Sequence, residues 1–283
     1  MRREQGLGNP DPSLRGQDAW PDIRAQFRAS KDYWEFAERI HEAAKHGDGA
    51  SQYYLGLALN TCDFLYRYYF LAQESGSPAR LRTLDEAQQL TATQAGSAYS
   101  SDDVRDIQSR CQRIMSTTPP PFGVASDWME AAIKSAYPLA QANAAMNSVL
   151  VAKNSPDPGR SRAARNEALA LVVDALRSKD AEVILALASP VVYFAGDEPG
   201  AGLKQHWTWV MAAYLREPDN ASQAEWTKEH CRFDSQCHPD DRIIDIIRRG
   251  AGNDFDEIER RARELNQKID AGNFGEPDIR TGR

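Results

Sequence analysis

Residues 43–56 read AAKHGDGASQYYLG, and this stretch decides the fold because it joins two helices through one tight turn. Alanines close the first helix, Gly47 supplies the turn, and helical sequence resumes after it. A glycine just past the last helical residue is a common stop signal of a helix. The stretch therefore predicts the joint of a two-helix unit, and such units stack into surfaces that bind other molecules.

Apolar residues keep helical spacing on both sides of this joint, and the alternation typical of strands is almost absent. We therefore predict an all-α fold, either an irregular helical bundle or a short α-solenoid of helix–turn–helix units. The predicted helices lie near 30–46, 51–73, 100–116, 127–137, 138–152, 161–177, 180–189, 202–216, 222–230, 240–249 and 254–271, and a further short helix opens at Thr83.

Proline and glycine mark the divisions between these helices. The clearest is the segment NSPDPG, which begins at Asn154. We predict five parts: a flexible N-terminal tail at 1–25, a helical region at 26–153, a linker at 154–160, a second helical region at 161–271 packed on the first, and a flexible C-terminal tail at 272–283.

Composition narrows the range of functions. Of the 283 residues, 41% are hydrophobic, which is enough for a folded core. The net charge of −7 argues against binding to nucleic acid, which needs a basic surface. It argues equally against docking on anionic lipid. No apolar run approaches the length of a membrane span, so we expect none.

The four cysteines predict two disulfides, Cys62–Cys111 between two helical stripes and Cys231–Cys237 across a short loop. Paired cysteines favour an oxidising compartment, here the bacterial periplasm or cell envelope. Residues 1–16 carry no leader, so we expect that a leader, with or without a lipid anchor, preceded Met1. The alternative is a cytoplasmic protein with four thiols.

The opening stretch resembles the Sel1-like repeat family, a TPR-like class of helical repeats. The family pattern is a pair of alanines, a turn glycine, and then Ala-Gln-Tyr-x-Leu-Gly at a fixed distance. Ala43 and Ala44, Gly47 and residues 52–56 match this pattern, while Ser51 replaces the third alanine.

A fainter second copy of the pattern reads WMEAA at 128–132 and PLAQ at 138–141, and residues 175–181 have only the form of a helical hairpin. The resemblance covers about a quarter of the chain. It implies stacked helical hairpins that bind other proteins. The alternative is an irregular helical bundle.

Two segments carry residues with catalytic potential. Glu74 lies in the sequence Gln-Glu-Ser-Gly, which resembles the Glu-Ser-Gly motif that carries the general acid of lytic transglycosylases. One hypothesis is therefore that the protein is a peptidoglycan hydrolase. A glutamate in that role needs a hydrophobic pocket, and a capped helix end explains these residues more simply. The segment from His230 to His238 holds Cys231 and Cys237 and allows a metal-dependent enzyme, but its cysteine spacing fits a disulfide loop better than a zinc site.

Aromatic residues cluster near the second disulfide, and aromatic residues are common at binding hot spots. The candidate partner-binding residues are Trp207, Trp209, Tyr214 and Trp226. Core packing is the alternative for at least two of them.

Taken together, these patterns predict a non-enzymatic protein that binds another protein, as a scaffold or as an inhibitor or immunity protein for a secreted toxin. We expect no catalytic residue, no cofactor and no metal. The hydrolase that uses Glu74 and the metal-dependent enzyme are the alternatives.

Overall fold

The computed structural model describes residues 20–72, 80–93, 100–117, 121–195, 200–217, 220–231, 241–275 and 278–279. Within them the chain is almost entirely helical, which confirms the predicted all-α fold. The helices are α1 (Trp20–Ala29), α2 (Tyr33–Lys45), α3 (Gly49–Thr61), α4 (Arg67–Phe70), α5 (Leu84–Thr93), α6 (Ser101–Ser116), α7 (Ala125–Lys134), α8 (Pro138–Asn154), α9 (Pro158–Leu176), α10 (Ala181–Val191), α11 (Ala201–Arg216), α12 (Asn220–Cys231), α13 (Ile243–Ala251) and α14 (Phe255–Ala271). A π-helical turn, Cys62–Tyr66, joins α3 to α4, and the two-residue strands β1 (Leu71–Ala72) and β2 (Arg80–Leu81) pair antiparallel.

Three helical hairpins share one kind of turn. In each, a residue with positive φ stands directly before the residue that caps the next helix: Gly47 at 89°, Ala136 at 54° and Lys179 at 57°. In the first two turns the cap residue's amide donates back to an alanine carbonyl in the preceding helix at 3.0 Å, from Asp48 to Ala43 and from Tyr137 to Ala132. This is the hydrogen bond of a Schellman stop. The turn expected at Gly47 therefore recurs with the same hydrogen bond at the second hairpin, whereas the third hairpin shares only the positive φ, and there the amide of Asp180 donates to Oγ of Ser178.

The first hairpin, α2–α3, packs on the second, α7–α8, through Gly56. A Cβ atom at Gly56 would lie 2.9 Å from Sδ of Met129 and 3.2 Å from the carbonyl oxygen of Ala125. The missing side chain therefore lets α3 and α7 approach closely. Further along the chain, α8 packs on α9 and α10, α10 on α11, and α11 on α14.

We expect Ala136→Gly and Lys179→Gly each to raise the free energy of unfolding by about 0.5–1 kcal/mol, because glycine adopts positive φ without a Cβ clash. Gly47→Ala should lower it by about 1 kcal/mol for the same reason. Urea denaturation of the full chain measures all three changes. Ala163→Gly on the exposed face of α9 is the control and should lose about 1 kcal/mol. A loss of stability in both turn variants would contradict the shared turn geometry.

The single helix predicted at 51–73 is wrong. Helix α3 ends at Thr61, a π-helical turn follows, and α4 gives way to a strand after Phe70. A π turn adds one residue to a helical turn, so it shifts which positions face inward. Here it brings Tyr66 and Phe70 into a stacked pair inside the core, with ring centroids 4.8 Å apart.

The linker predicted at 154–160 is a tight turn. Helix α8 ends at Asn154 and α9 begins at Pro158, whose preceding residue, Asp157, accepts a hydrogen bond from the amide of Gly159 at 2.8 Å. Ser161 also donates to the carbonyl oxygen of Ala152 at 2.7 Å. The two helices lie side by side, and buried residues of both predicted regions belong to one core.

The flexible tails predicted at 1–25 and 272–283 are wrong for their described parts. Helix α1 begins at Trp20, and its Ile23 packs against the core. Ile279 is fully buried, and its carbonyl oxygen accepts a hydrogen bond from Nε2 of Gln205 at 2.5 Å. Sequence near a chain end reveals little of such packing, because the contacts are made to distant helices.

Candidate functional site

Exposed apolar side chains follow one another from the π turn through α4 to β2, which lies beside the end of α4, and we call them the Phe64 patch. Its members are Phe64, Tyr68 and Leu81, with 67%, 48% and 64% of their surface exposed. Phe64 and Tyr68 are four residues apart along the helical segment, so they lie on one face. Leu81 pairs with Leu71, the residue that follows α4. Large side chains exposed together commonly mark an interaction surface.

The backbone beneath this patch is held in place from two sides. The predicted Cys62–Cys111 disulfide is confirmed, and it ties the first residue of the π turn to α6 with a Cα–Cα distance of 5.2 Å. On the other side, Nη1 of Arg82 donates to the carbonyl oxygens of Tyr68 and Tyr69, both at 3.1 Å. The patch is therefore carried on a braced surface, which reduces the entropy lost when a partner binds.

A second group of side chains joins the starts of three helices. We call it the tyrosine–carboxylate cluster, and its members are Tyr53 and Tyr54 of α3, Tyr137 before α8, and Asp180 and Glu182 at the start of α10. The ring of Tyr53 lies 5.1 Å from that of Tyr54 and 5.2 Å from that of Tyr137, measured between centroids.

Burial raises the pKa of Tyr54 to about 12, and burial also raises the pKa of Tyr53 and of Tyr137. These phenols therefore stay protonated at physiological pH and act through hydrogen bonds. Asn143 donates to the hydroxyl oxygen of Tyr53 from Nδ2 at 2.9 Å.

Arg24 of α1 lies over this cluster. Its Nε and Nη2 atoms are 2.8 Å from Oε2 of Glu182 and 3.1 Å from Oδ2 of Asp180. Burial lowers the pKa of Arg24, but the charges of Glu182 and Asp180 outweigh burial and raise it overall. For Glu182, burial raises the pKa more than the two neighbouring arginines lower it. The two carboxylates therefore hold the guanidinium of Arg24 beside the tyrosine rings.

The predicted partner-binding residues do not form a surface. Trp207, Trp209 and Trp226 are buried in the core, and Tyr214 is half-buried against it. Trp207 lies so close to α13 that a Cβ atom at Gly250 would be 2.1 Å from its ring. In this structure these tryptophans pack helices together, so the interaction role predicted for them is wrong.

The two catalytic alternatives fall outside the described residues. Glu74 lies in the gap at 73–79, and Cys237 and His238 lie in the gap at 232–240. The predicted Cys231–Cys237 disulfide therefore stays a prediction. Where the structure is described, no group of three or more His, Cys, Asp or Glu side chains is arranged to hold a metal.

Two concavities in the described part of the chain are shallow. One of ≈ 340 Å³ is lined by residues including Glu264 and Lys268, and one of ≈ 320 Å³ by residues including Arg216 and Asp270. Neither brings together the residues that the sequence analysis singled out.

Sequence reasoning missed the Phe64 patch because it followed the buried stripe of this segment. That stripe runs through Leu55, Ala58 and Cys62, and its members are buried as expected. The sequence did carry a signal of the patch. Phe64 and Tyr68 are large aromatic residues that lie off the buried stripe, on the helix face where polar residues are expected.

The chain was compared with protein-family models, curated proteins and solved structures. No protein-family model, no curated protein and no solved structure matches the chain. Among the described residues, none of the helices has the length and apolar character needed to cross a bilayer. What the structure defines is an all-α protein of stacked helical hairpins with a disulfide beneath an exposed aromatic patch.

Proposed function

We propose that this protein is a non-enzymatic protein-binding module of the bacterial periplasm or cell envelope, acting as a scaffold or as an inhibitor or immunity protein. The observation that carries the proposal is the Phe64 patch, since a disulfide-braced surface exposes two aromatic rings and a leucine together. Aromatic anchors of this kind contribute a large share of the binding energy at protein interfaces.

The fold supports the same proposal. Hairpins stacked through α3 and α7 and through α8, α9 and α10 form a framework in which each unit contacts its neighbours. Frameworks of this type, including the Sel1-like repeats that the opening stretch resembles, serve as binding surfaces. The Cys62–Cys111 disulfide supports an oxidising compartment, because cytosolic proteins seldom keep such a bond.

The partner that fits the Phe64 patch offers an apolar pocket for an aromatic side chain with a polar rim around it. The rim on this side is supplied by Asp63 and Arg67, which form an exposed ion pair at 2.5 Å beside Phe64. A rim pair of this kind adds little affinity, but it limits which surfaces can dock.

We expect Phe64→Ser and Leu81→Ser each to weaken partner binding by about 30-fold or more, the effect of losing a 2 kcal/mol hot spot. The full chain is used to isolate its partner from envelope extracts of the producing cell, and the dissociation constant is then measured for each variant. Leu203→Ser is the matched control, because Leu203 is 57% exposed on α11 and lies outside the patch.

Equal losses in all three variants, or none in the two patch variants, would remove the patch as the binding site. The hydrolase alternative has its own test. Release of muropeptides from purified peptidoglycan, abolished by Glu74→Gln, would replace the binding role with an enzymatic one.

A further inference from the structure

Helix α1 contacts the rest of the protein as a ligand would, through side chains that reach several separate elements. Phe27 lies against Tyr33 and Phe36 of α2 and against Tyr54 of α3, with ring centroids 5.2, 5.6 and 5.3 Å apart. Its ring is nearly parallel to that of Tyr33, with 7° between their planes. The apolar half of the helix is therefore seated in an aromatic recess.

The polar half of α1 is seated against acidic side chains from distant parts of the chain. Arg24 pairs with Asp180, which caps α10, and with Glu182 of α10, as described above. Arg28 pairs with Glu182 at 3.0 Å and with Glu225 of α12 at 2.9 Å. Two arginines thus face three carboxylates. Without α1 the same surface would hold those carboxylates without the arginines, in a partly buried setting where an unpaired charge is costly.

We call this recess the α1 groove, and it is formed by Tyr33, Phe36, Tyr54, Asp180, Glu182 and Glu225. It shares no residue with the Phe64 patch, so the two surfaces can be tested separately.

The joint between α1 and α2 is short, and the start of α2 has anchors of its own. Only residues 30–32 connect the two helices. Asp32 caps α2 by accepting from the amide of Trp34 at 2.8 Å, and it also pairs with Arg113 of α6 at 2.7 Å. Besides its contact with Phe27, the start of α2 is therefore held by two contacts that do not involve α1. With 10 residues, α1 is also shorter than a helix that is stable alone in water.

We propose that α1 is a displaceable occupant of the α1 groove, and that the groove binds a basic amphipathic helix of a partner protein in its place. The partner helix carries the pattern of α1 itself: two arginines four residues apart, with an aromatic residue directly before the second. Such a helix satisfies the three carboxylates and fills the aromatic recess. Helix α1 thereby sets a threshold, because a partner must compete with it.

Hydrogen exchange of the full wild-type chain tests whether α1 is displaceable. We expect the amides of residues 25–29 to exchange at least ten times faster than those of α3, because α1 opens while the core stays closed. Exchange of α1 only at the rate of α3 would overturn the proposal, since α1 would then open only with the whole protein.

A fluorescent peptide of residues 20–31, WPDIRAQFRASK, serves as the probe for groove binding. We expect it to bind the full-length double variant Arg24→Glu/Arg28→Glu at least ten times more tightly than wild type, because the variant's own α1 is expelled. Hydrogen exchange of α3 in the same sample verifies that the variant is folded. No binding to a folded variant would overturn the proposal, and the exchange test on wild type stands if the variant does not fold.

Two controls separate groove binding from simple attraction of a basic peptide to an acidic protein. A peptide with Phe27→Ala keeps every charge and should bind at least tenfold more weakly. Adding Glu182→Lys to the double variant should abolish binding of the unaltered peptide. Equal binding of both peptides would overturn the proposal, as would a concentration-dependent dimer of the wild-type chain formed by exchange of α1, because the groove would then serve a second copy.

Discussion

Loss of the Cys62–Cys111 disulfide is expected to lower the free energy of unfolding by about 4 kcal/mol, the value for a closed loop of about 50 residues. The two cysteines are separated by 49 positions in sequence, so the bond removes much of the freedom of the unfolded chain. Both are fully buried, and alanine is therefore a better replacement than serine, which would leave buried hydroxyl groups. Denaturation of Cys62→Ala/Cys111→Ala against wild type measures the change.

The pair Cys231→Ala/Cys237→Ala is the matched control. If the second predicted disulfide forms, it closes a loop of only a few residues and contributes less, about 2 kcal/mol on the same chain-entropy relation. Mass spectrometry of the unreduced protein should find all four thiols blocked. Free thiols at Cys62 and Cys111, or equal stability with and without reductant, would contradict the larger effect.

This disulfide also serves the Phe64 patch. Because the bond holds the first residue of the π turn to α6, the double variant should bind its partner more weakly even under conditions where it is still folded. The expected loss comes from greater mobility of the patch rather than from lost contacts. Binding measured well below the denaturation midpoint separates the two effects.

Local sequence was sufficient for the helices and their turns. Gly47 stops α2, Ser100 caps α6, and the spacing of apolar residues follows the buried faces closely enough to pair Cys62 with Cys111. The helix stop and the helix cap depend on residues within one or two helical turns. The disulfide pairing depends on two apolar stripes that are both clear in the sequence. The all-α fold could therefore be predicted before the packing was known.

Tertiary contacts decided what the sequence could not predict. The π turn forms where Tyr66 and Phe70 reach the core, and nothing local distinguishes it from continuous helix. The α1 groove draws Asp180 and Glu182 to Arg24 across 156 positions of chain, as the Arg24–Asp180 hydrogen bond shows. The left-handed turns at Ala136 and Lys179 were also hidden, because neither residue is the glycine that usually marks such a turn.

The tryptophans illustrate the same limit in the opposite direction. Aromatic residues are common both in cores and at interfaces, so their clustering in sequence could not decide between the two. Helix α11 is buried over most of one long run, from Trp207 to Ala213, and this leaves no face on which Trp207 and Trp209 could meet a partner. The two most exposed aromatic residues in the described part of the chain lie elsewhere, at Phe64 and Tyr68.

Trp209→Ala is therefore expected to lower the free energy of unfolding by about 3–5 kcal/mol, the usual cost of truncating a buried tryptophan. Trp209 is 1% exposed, and its ring packs edge-on against Phe274 with centroids 5.8 Å apart. Removal of the indole leaves a cavity between α11 and the segment after α14, which rigid helices fill only in part. Denaturation of the full chain measures the loss.

Tyr214→Ala on the same helix is the matched control, because its side chain is only half-buried and should cost about 1–2 kcal/mol less than the tryptophan.

Gly250→Ala tests the neighbouring contact from the other side. Its Cβ would lie 2.1 Å from Trp207, so the ring or α13 must move, at a cost of about 1–3 kcal/mol. If Trp209→Ala and Gly250→Ala both left stability within 0.5 kcal/mol of wild type, the tryptophans would be surface residues after all. Their role as partner contacts would then have to be reconsidered, and the Phe64 patch would lose its place as the leading interaction surface.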